Sequence, residues 1–314
     1  MKNRTNGIED ATDSGGSMTA SRSARSAATL IEVLVVIAIV LILIGLLLPA
    51  VQKVRGAATA ARCKNNLRQL GIALHQYHDT NASLPPGVSW DGGRSKYPHM
   101  SWLTRLLPYV EQAPLWAMSL SAFQQNPFFE SQPHFPVLGQ VIPLYACSTD
   151  ERCAEAKQFG PFHVGLTTYV GVEGTNQRSH DGLLFADSAV RFGDVRDGLS
   201  NTLAVGERPP SADLTMGWWY AGWGQDKDGS CEMLLGAREI LTSPTFSDCP
   251  ATGNGFAPGK VDGYCDFLRF WSLHPGGGHF VLGDGSVRFI LYSANDILPA
   301  LATRAGGEVM SFPD

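Results

Sequence analysis

The sequence predicts an α+β protein: a long N-terminal helix, half of it in lipid, packed on a large and mainly antiparallel β domain. Three observations predict it. Residues 30–51 form an apolar run with a single charge. Apolar residues then recur at three- and four-residue steps as far as residue 77, the period of an amphipathic helix. Beyond residue 82, six Asp-Gly steps (at Asp91, Asp181, Asp197, Asp228, Asp262 and Asp284) punctuate short apolar runs, in a chain holding 34 Gly and 19 Pro, which is turn chemistry between strands. A composition 44% hydrophobic with seven Trp, eight Tyr and 15 Phe excludes a disordered chain. The net charge of −5 is unevenly spread: residues 1–78 carry nine Lys/Arg against four Asp/Glu, and the rest carry 15 against 25. So acidic an outer region repels phosphates, which argues against a nucleic acid partner.

The boundaries follow in order: residues 1–27 precede the helix, 28–51 span a membrane, 52–82 continue the helix, and 83–314 form the β-rich domain. Leu30 to Val51 reads LIEVLVVIAIVLILIGLLLPAV, roughly 30 Å of helix, the thickness of a hydrocarbon core. It is longer than the apolar stretch of a secretory signal peptide. Arg22 and Arg25 precede it, while Lys53, Arg55, Arg62, Lys64 and Arg68 follow, so charge bias does not set its orientation. Glu32 is its one charge. A carboxylate costs about 2.5–3.5 kcal/mol at a membrane centre, so Glu32 either has a partner or, two residues inside the run, reaches back to the headgroups.

Past the membrane only Gly56 and Gly71 weaken the helix, and Pro49 is expected to kink it near the surface. Leu67, Leu70, Leu74 and Tyr77 make a stripe for a domain to cover. The helix should end near Asn81, before Leu84-Pro85-Pro86-Gly87. Residues 102–112 read as a short amphipathic helix. Asp197 to Thr202 reads as a polar turn into a buried strand, Leu203-Ala204-Val205. Gly217 to Trp223 is the densest aromatic stretch, serving as core or as a sugar-stacking platform. His279-Phe280-Val281-Leu282 and Ser286 to Ile290 flank Gly283-Asp284-Gly285, a strong hairpin signal in which Phe280, Leu282, Val287 and Phe289 are expected to face a core. His274 then caps or hydrogen-bonds a neighbouring loop.

Six cysteines fit an oxidising compartment. They allow 15 connectivities. The short spacing of Cys147 and Cys153 makes that pair the working guess, and two of Cys231, Cys249 and Cys265 could form another. No Cys-x-x-Cys or His/Cys cluster has zinc-finger spacing, which argues against zinc. The chain has no Gly-x-Ser-x-Gly elbow, phosphate loop or His-Glu-x-x-His motif, so it is not expected to be an enzyme.

Ala27-Ala28-Thr29-Leu30-Ile31-Glu32 before an apolar run resembles the prepilin cleavage and methylation segment of type IV pilins and type II secretion pseudopilins. Their usual form is Gly followed by Phe-Thr-Leu-Ile-Glu, cut after the Gly, and their helix-kinking proline follows the Glu by 17 residues, as Pro49 follows Glu32. Here Ala27 replaces the Gly and Ala28 the Phe. Lys64 to Gly87 is similar to a segment of large bacterial pseudopilin-like proteins whose C-terminal region is a domain of unknown function. Those proteins carry a His, nine residues, then Asp-Gly, matched here by His274, PGGGHFVLG, Asp284 and Gly285. Cys147 to Asp150, Thr168 to Gly171, and Asp197 to Leu203 up to Gly206-Glu207 match the same pattern.

The resemblance implies a pilin-like helix and a leader ending at Ala27, with Met18 as a candidate start. It implies cleavage between Ala27 and Ala28 by prepilin peptidase and N-methylation of Ala28. Glu32 would pair with the Ala28 amine of a neighbouring pilin or pseudopilin subunit during filament growth. The leader would be cytoplasmic and the domain extracytoplasmic, periplasmic or at the surface, on a single-pass cytoplasmic membrane protein. Major-type pseudopilins use a loop calcium site, which makes calcium the better metal candidate. Asp181, Asp194, Asp197 and Asp284 offer hard oxygen donors, although turn aspartates are common without metal. The expected function is a filament subunit or minor component; a helix-anchored module that binds glycan or protein is the alternative.

Overall fold

The computed structural model describes residues 29–308 except 91 and 93, so Ala27, Ala28, Met18 and Asp91 lie outside the described residues. The chain divides into two compact units, Met1–Lys53 and Val54–Asp314. Helix α1, Leu30–Asn81, contributes to both and runs through Pro49. It ends at the residue expected from Leu84-Pro85-Pro86.

In the first unit the apolar side chains of α1 are exposed all round, from Leu30 to Leu48. A helix apolar on every side needs an apolar solvent. It is the one described helix long and apolar enough to cross a membrane, and none of its most apolar window is buried. Its length and composition fit a single-pass membrane anchor. At its start the Thr29 N–H donates to Glu32 Oε2 at 2.8 Å, and the Glu32 N–H donates to Thr29 Oγ1 at 3.4 Å. This reciprocal capping box satisfies two backbone donors that the first turn leaves free.

The second unit is built on a five-stranded sheet. The chain leads into it through short helices α2 (Trp102–Leu106), α3 (Ala113–Gln125) and α4 (Phe135–Leu138), then a small hairpin of β1 (Lys157–Phe159) and β2 (Phe162–Val164). The sheet strands are β3 (Tyr169–Gly174), β4 (Leu203–Glu207), β5 (Leu234–Gly236), β6 (Gly277–Leu282) and β7 (Val287–Leu291), in the order β5-β3-β4-β6-β7. All pairings are antiparallel except β3 with β5. A last helix, α5 (Leu298–Ala302), closes the unit. The fold is α+β, as expected.

Strands β3, β4 and β6 are buried at every residue, because a core lies on each face of the sheet. Val205 and Val281 join one core with Leu67, Leu70 and Leu74 of α1 and the Trp218-Trp219-Tyr220 aromatics. Val170, Val172, Leu203, Phe280 and Leu282 join the other, with Phe256, Phe267 and Phe270. The aromatic stretch is therefore core, and Trp219 Nε1 donates to the Gln140 carbonyl at 2.7 Å so that its polar edge is satisfied too.

The hairpin of β6 and β7 forms where expected, with Gly285 at φ +79° in its turn. One face assignment needs correction. Phe280 pairs with Arg288 and Val281 with Val287, so Val287 and Phe289 share a face with Val281 rather than with Phe280. Phe280 and Leu282 are buried, but β7 is an edge strand, Val287 is half-buried and Phe289 is exposed. Ile290 is its buried residue instead.

The disulfide guess is also corrected. Cys147 bonds to Cys63 on α1, not to Cys153, and Cys249 bonds to Cys265. Cys153 is a buried free thiol, carried into the core by a 3-10 turn at Glu151–Ala154. Burial pushes that thiol up, with the Asp150 charge adding to it.

Candidate functional site

The Cys63–Cys147 bond is the centre of a buried polar cluster. Cys63 lies on the stripe face of α1, eight residues before Gly71, where α1 touches the β6–β7 turn. A Cβ on Gly71 would meet Gly285 O at 3.0 Å and Val281 Cγ1 at 3.1 Å. His75 Nε2 lies 3.0 Å from the Gly283 carbonyl, and Asn66 donates to the Ala146 carbonyl at 3.0 Å. These contacts hold Cys63 against the loop that bears Cys147. The Cys147 N–H in turn donates to Thr168 Oγ1 at 2.6 Å.

Glu207 ends β4, beside His279 on β6. The His279 N–H donates to Glu207 Oε2 at 2.7 Å, and His279 Nδ1 lies 3.3 Å from the same oxygen. The other oxygen, Oε1, is 3.3 Å from His274 Nε2 but off the line of a hydrogen bond, so it is left without a hydrogen-bond partner. His274 Nε2 is also 3.3 Å from Cys147 Sγ. The turn that presents His274 is fixed by Ser272, whose hydroxyl donates to the Gly277 carbonyl at 2.6 Å and accepts the His274 N–H at 3.0 Å. All five side chains are buried; Glu207 is 2% exposed and His274 6%. Burial pushes the Glu207 carboxyl up, but the imidazoles of His274 and His279 outweigh it and hold the group below its ordinary value.

This cluster gathers one polar residue from each of several separate segments. His274 is among the residues singled out from the sequence. It faces a disulfide and a carboxylate, more than the loop capping expected of it. Asp284 and Gly285, separated from His274 by nine residues, serve the hairpin turn: Asp284 Oδ1 accepts the Ser286 N–H at 2.8 Å. Sequence reasoning missed Cys63, Glu207 and His279 as site residues. The available signal was that Cys63 and Glu207 lie at the edges of the matching segments, Glu207 within one of them, while His279 lies inside the His274-to-Asp284 motif.

The four candidate calcium aspartates each accept hydrogen bonds within the protein. Asp181 accepts from the Thr175 N–H and the Ser179 hydroxyl, Asp194 from the Arg191 N–H, and Asp197 from the Gly306 and Gly307 N–H groups. Among the described residues they do not gather into a cluster that could hold a metal ion; Cys63, Cys147, Glu207 and His274 do. A second feature is an open groove of about 770 Å³ between α1 and the hairpin turn, lined by Lys64, Arg68, His75, Asp79 and Asp284. At the membrane end, Glu32 is placed by its capping box and Pro49 lies within the helix, while Ala27 and Ala28 fall outside the described residues.

Compared with known protein families, residues 52–296 match the model described as Protein of unknown function (DUF1559). No curated protein and no solved structure matches.

Proposed function

The chain belongs to the DUF1559 family, and from that premise we propose that it is a prepilin-type, membrane-anchored subunit or minor component of a type IV pilus-like or type II secretion filament. The observation that carries this reading is the construction of α1. A capped start places a carboxylate at the third helical position, an all-round apolar stretch follows, and the same helix then supplies the stripe that a domain covers. A plain anchor needs only the apolar stretch. A filament subunit needs a helix that packs against its neighbours through one half and carries its own domain on the other.

In this reading prepilin peptidase cuts between Ala27 and Ala28, and the new amine is methylated. Glu32 of an incoming subunit then meets the Ala28 amine of its neighbour. In a low-dielectric setting such a pair stabilises only when both charges are present, so it checks subunit register. The leader faces the cytoplasm and the domain lies outside. The size of that domain favours a specialised or tip-located component over a bulk pilin.

The groove between α1 and the hairpin favours a second reading, a helix-anchored module that binds a glycan or protein. Intact mass of the N-terminal peptide from membrane-extracted protein separates the two. A peptide starting at Ala28 with one added methyl group is expected. An uncut N-terminus would overturn the filament reading and leave the anchored binding module.

A further inference from the structure

A disulfide is one of two states that a buried cysteine pair can hold. We propose that, when Cys63 and Cys147 are reduced, the cluster around Glu207 is a binding site for a zinc-class divalent ion, ligated by the two thiolates, His274 Nε2 and Glu207 Oε1.

The donor set is two sulfurs, one imidazole nitrogen and one carboxylate oxygen, which suits tetrahedral zinc. All four ligand atoms lie within 4.8 Å of one another. Metal bonds of about 2.0–2.3 Å place tetrahedral ligands roughly 3.5 Å apart. The contacts of His274 Nε2 with Cys147 Sγ and with Glu207 Oε1, both 3.3 Å, already have that spacing. Opening the disulfide moves the two sulfurs apart, toward the same value.

The second observation is the oxygen that lacks a hydrogen bond. Glu207 Oε1 is buried with no hydrogen bond, an arrangement that costs free energy unless something else satisfies it. Its sister oxygen is already held by the His279 N–H. Oε1 therefore points at His274 and Cys147 with its orientation fixed from behind, as outer partners orient a metal ligand. A cavity of about 10 Å³ adjoins the site, bordered by Cys147, Thr168 and Glu207.

The chemistry balances with a dithiol as the reductant. The Cys63–Cys147 bond takes up two electrons and two protons, the dithiol leaves as a disulfide, and the incoming ion displaces both thiol protons. Metal and disulfide exclude each other, yet both tie α1 to the loop bearing Cys147. The staple between helix and domain thus persists on either side of a change in redox conditions.

The test uses the full chain in detergent, produced and purified without oxygen under a phosphine reductant so that the thiols never oxidise. Cobalt(II) is the probe. The expected result is one ion per chain, with the absorption of tetrahedral cobalt and a thiolate charge-transfer band, and no uptake by the oxidised chain. X-ray absorption should count two sulfur and two nitrogen or oxygen neighbours, a readout that needs no variant. Stoichiometric uptake should be lost in Glu207→Gln and in His274→Asn. It should survive when Cys153 and Cys231, or Cys249 and Cys265, are replaced by Ser. Bound zinc should also shield Cys63 and Cys147 from alkylation. Absence of stoichiometric uptake by the reduced chain, a shell without two sulfurs, or wild-type uptake by both ligand variants would each overturn the proposal.

Discussion

Glu32 caps its helix in the structure and carries a charge that the proposed filament would use, and one substitution separates the two. In the capping box its carboxylate accepts the Thr29 N–H, a task that Gln performs equally well. In the proposed filament its charge would meet a neighbour's amine, a task that Gln cannot perform. Thr29 lies after the proposed cut, so the box survives processing. Glu32→Gln should therefore insert in the membrane and keep its helix start, but fail to enter filaments. Glu32→Ala should fail in the same way and also lose the cap, worth about 1 kcal/mol or less. Membrane fractionation and immunoblotting of sheared filaments read the two outcomes, and normal incorporation of the Gln variant would reduce Glu32 to a cap. At this scale the sequence was legible where chemistry is local. Thr29 and Glu32 are three residues apart and cap the first turn, a local pairing within reach of a sequence reading although the expectation for Glu32 was a partner or the headgroups. Cys147 and Cys153 are also close, but nearness in sequence does not set direction: the 3-10 turn at Glu151–Ala154 sends Cys153 into the core, and the partner of Cys147 is 84 residues away.

Among the elements, α1 was legible almost to the residue at its C-terminal end, because period and proline signals act within a few residues. Its stripe residues Leu67, Leu70 and Leu74 are buried as expected. The β6–β7 hairpin was legible for the same reason, but the face that β7 presents was not. That face is set by the register across the turn, which pairs Val281 with Val287 and Phe280 with Arg288. Helix α3 was not anticipated, although Pro114 in its first turn and the buried positions Leu115, Ser119, Ala122 and Phe123 carry the helical period. Gly71 reads from the sequence as a weak point in α1. In the structure it is the point of closest approach to the hairpin turn, where a Cβ would press on the Gly285 backbone and Val281. A residue with better helix propensity should therefore make the protein less stable. Gly71→Val is expected to cost about 1–3 kcal/mol as overpacking, read as a lower thermal midpoint by circular dichroism. Gly56, with open space where its Cβ would be, supplies the control: Gly56→Ala should be neutral or stabilising by up to about 1 kcal/mol. A Gly71 variant as stable as wild type would mean that α1 does not rest on the turn.

At the scale of the whole molecule, the candidate site was least legible, because Cys63, Cys147, Glu207 and His274 meet only when α1, a loop, β4 and a turn before β6 are assembled. The spacing argument against zinc does not reach such a cluster, because it searches for ligands near one another in sequence, and these are not. Global packing also buries carboxylates that no sequence pattern marks as unusual, and this shapes stability against pH. Burial pushes the Glu232 carboxyl up to about 8, and burial likewise raises Glu173 and Glu239. Unfolded, such a group ionises near 4.5. Between those two values the native state holds a proton that the unfolded state has released, so stability falls as pH rises through the window. His99 works in the opposite sense. Burial, helped by the Lys227 charge, lowers it to about 4, so the unfolded chain takes up a proton first and stability falls as pH drops below about 6.5. Between about 4.5 and 6.5 the two slopes oppose each other, and above about 6.5 His99 no longer offsets the carboxyls, so stability falls toward alkaline pH. In Glu232→Gln the alkaline fall should be reduced. The variant's advantage over wild type should grow from its value at pH 4.5 by up to a few kcal/mol at pH 8 and above. Thermal midpoints of both proteins across pH 4–9 measure this, and a difference that stays constant with pH would show that Glu232 is already ionised in the fold.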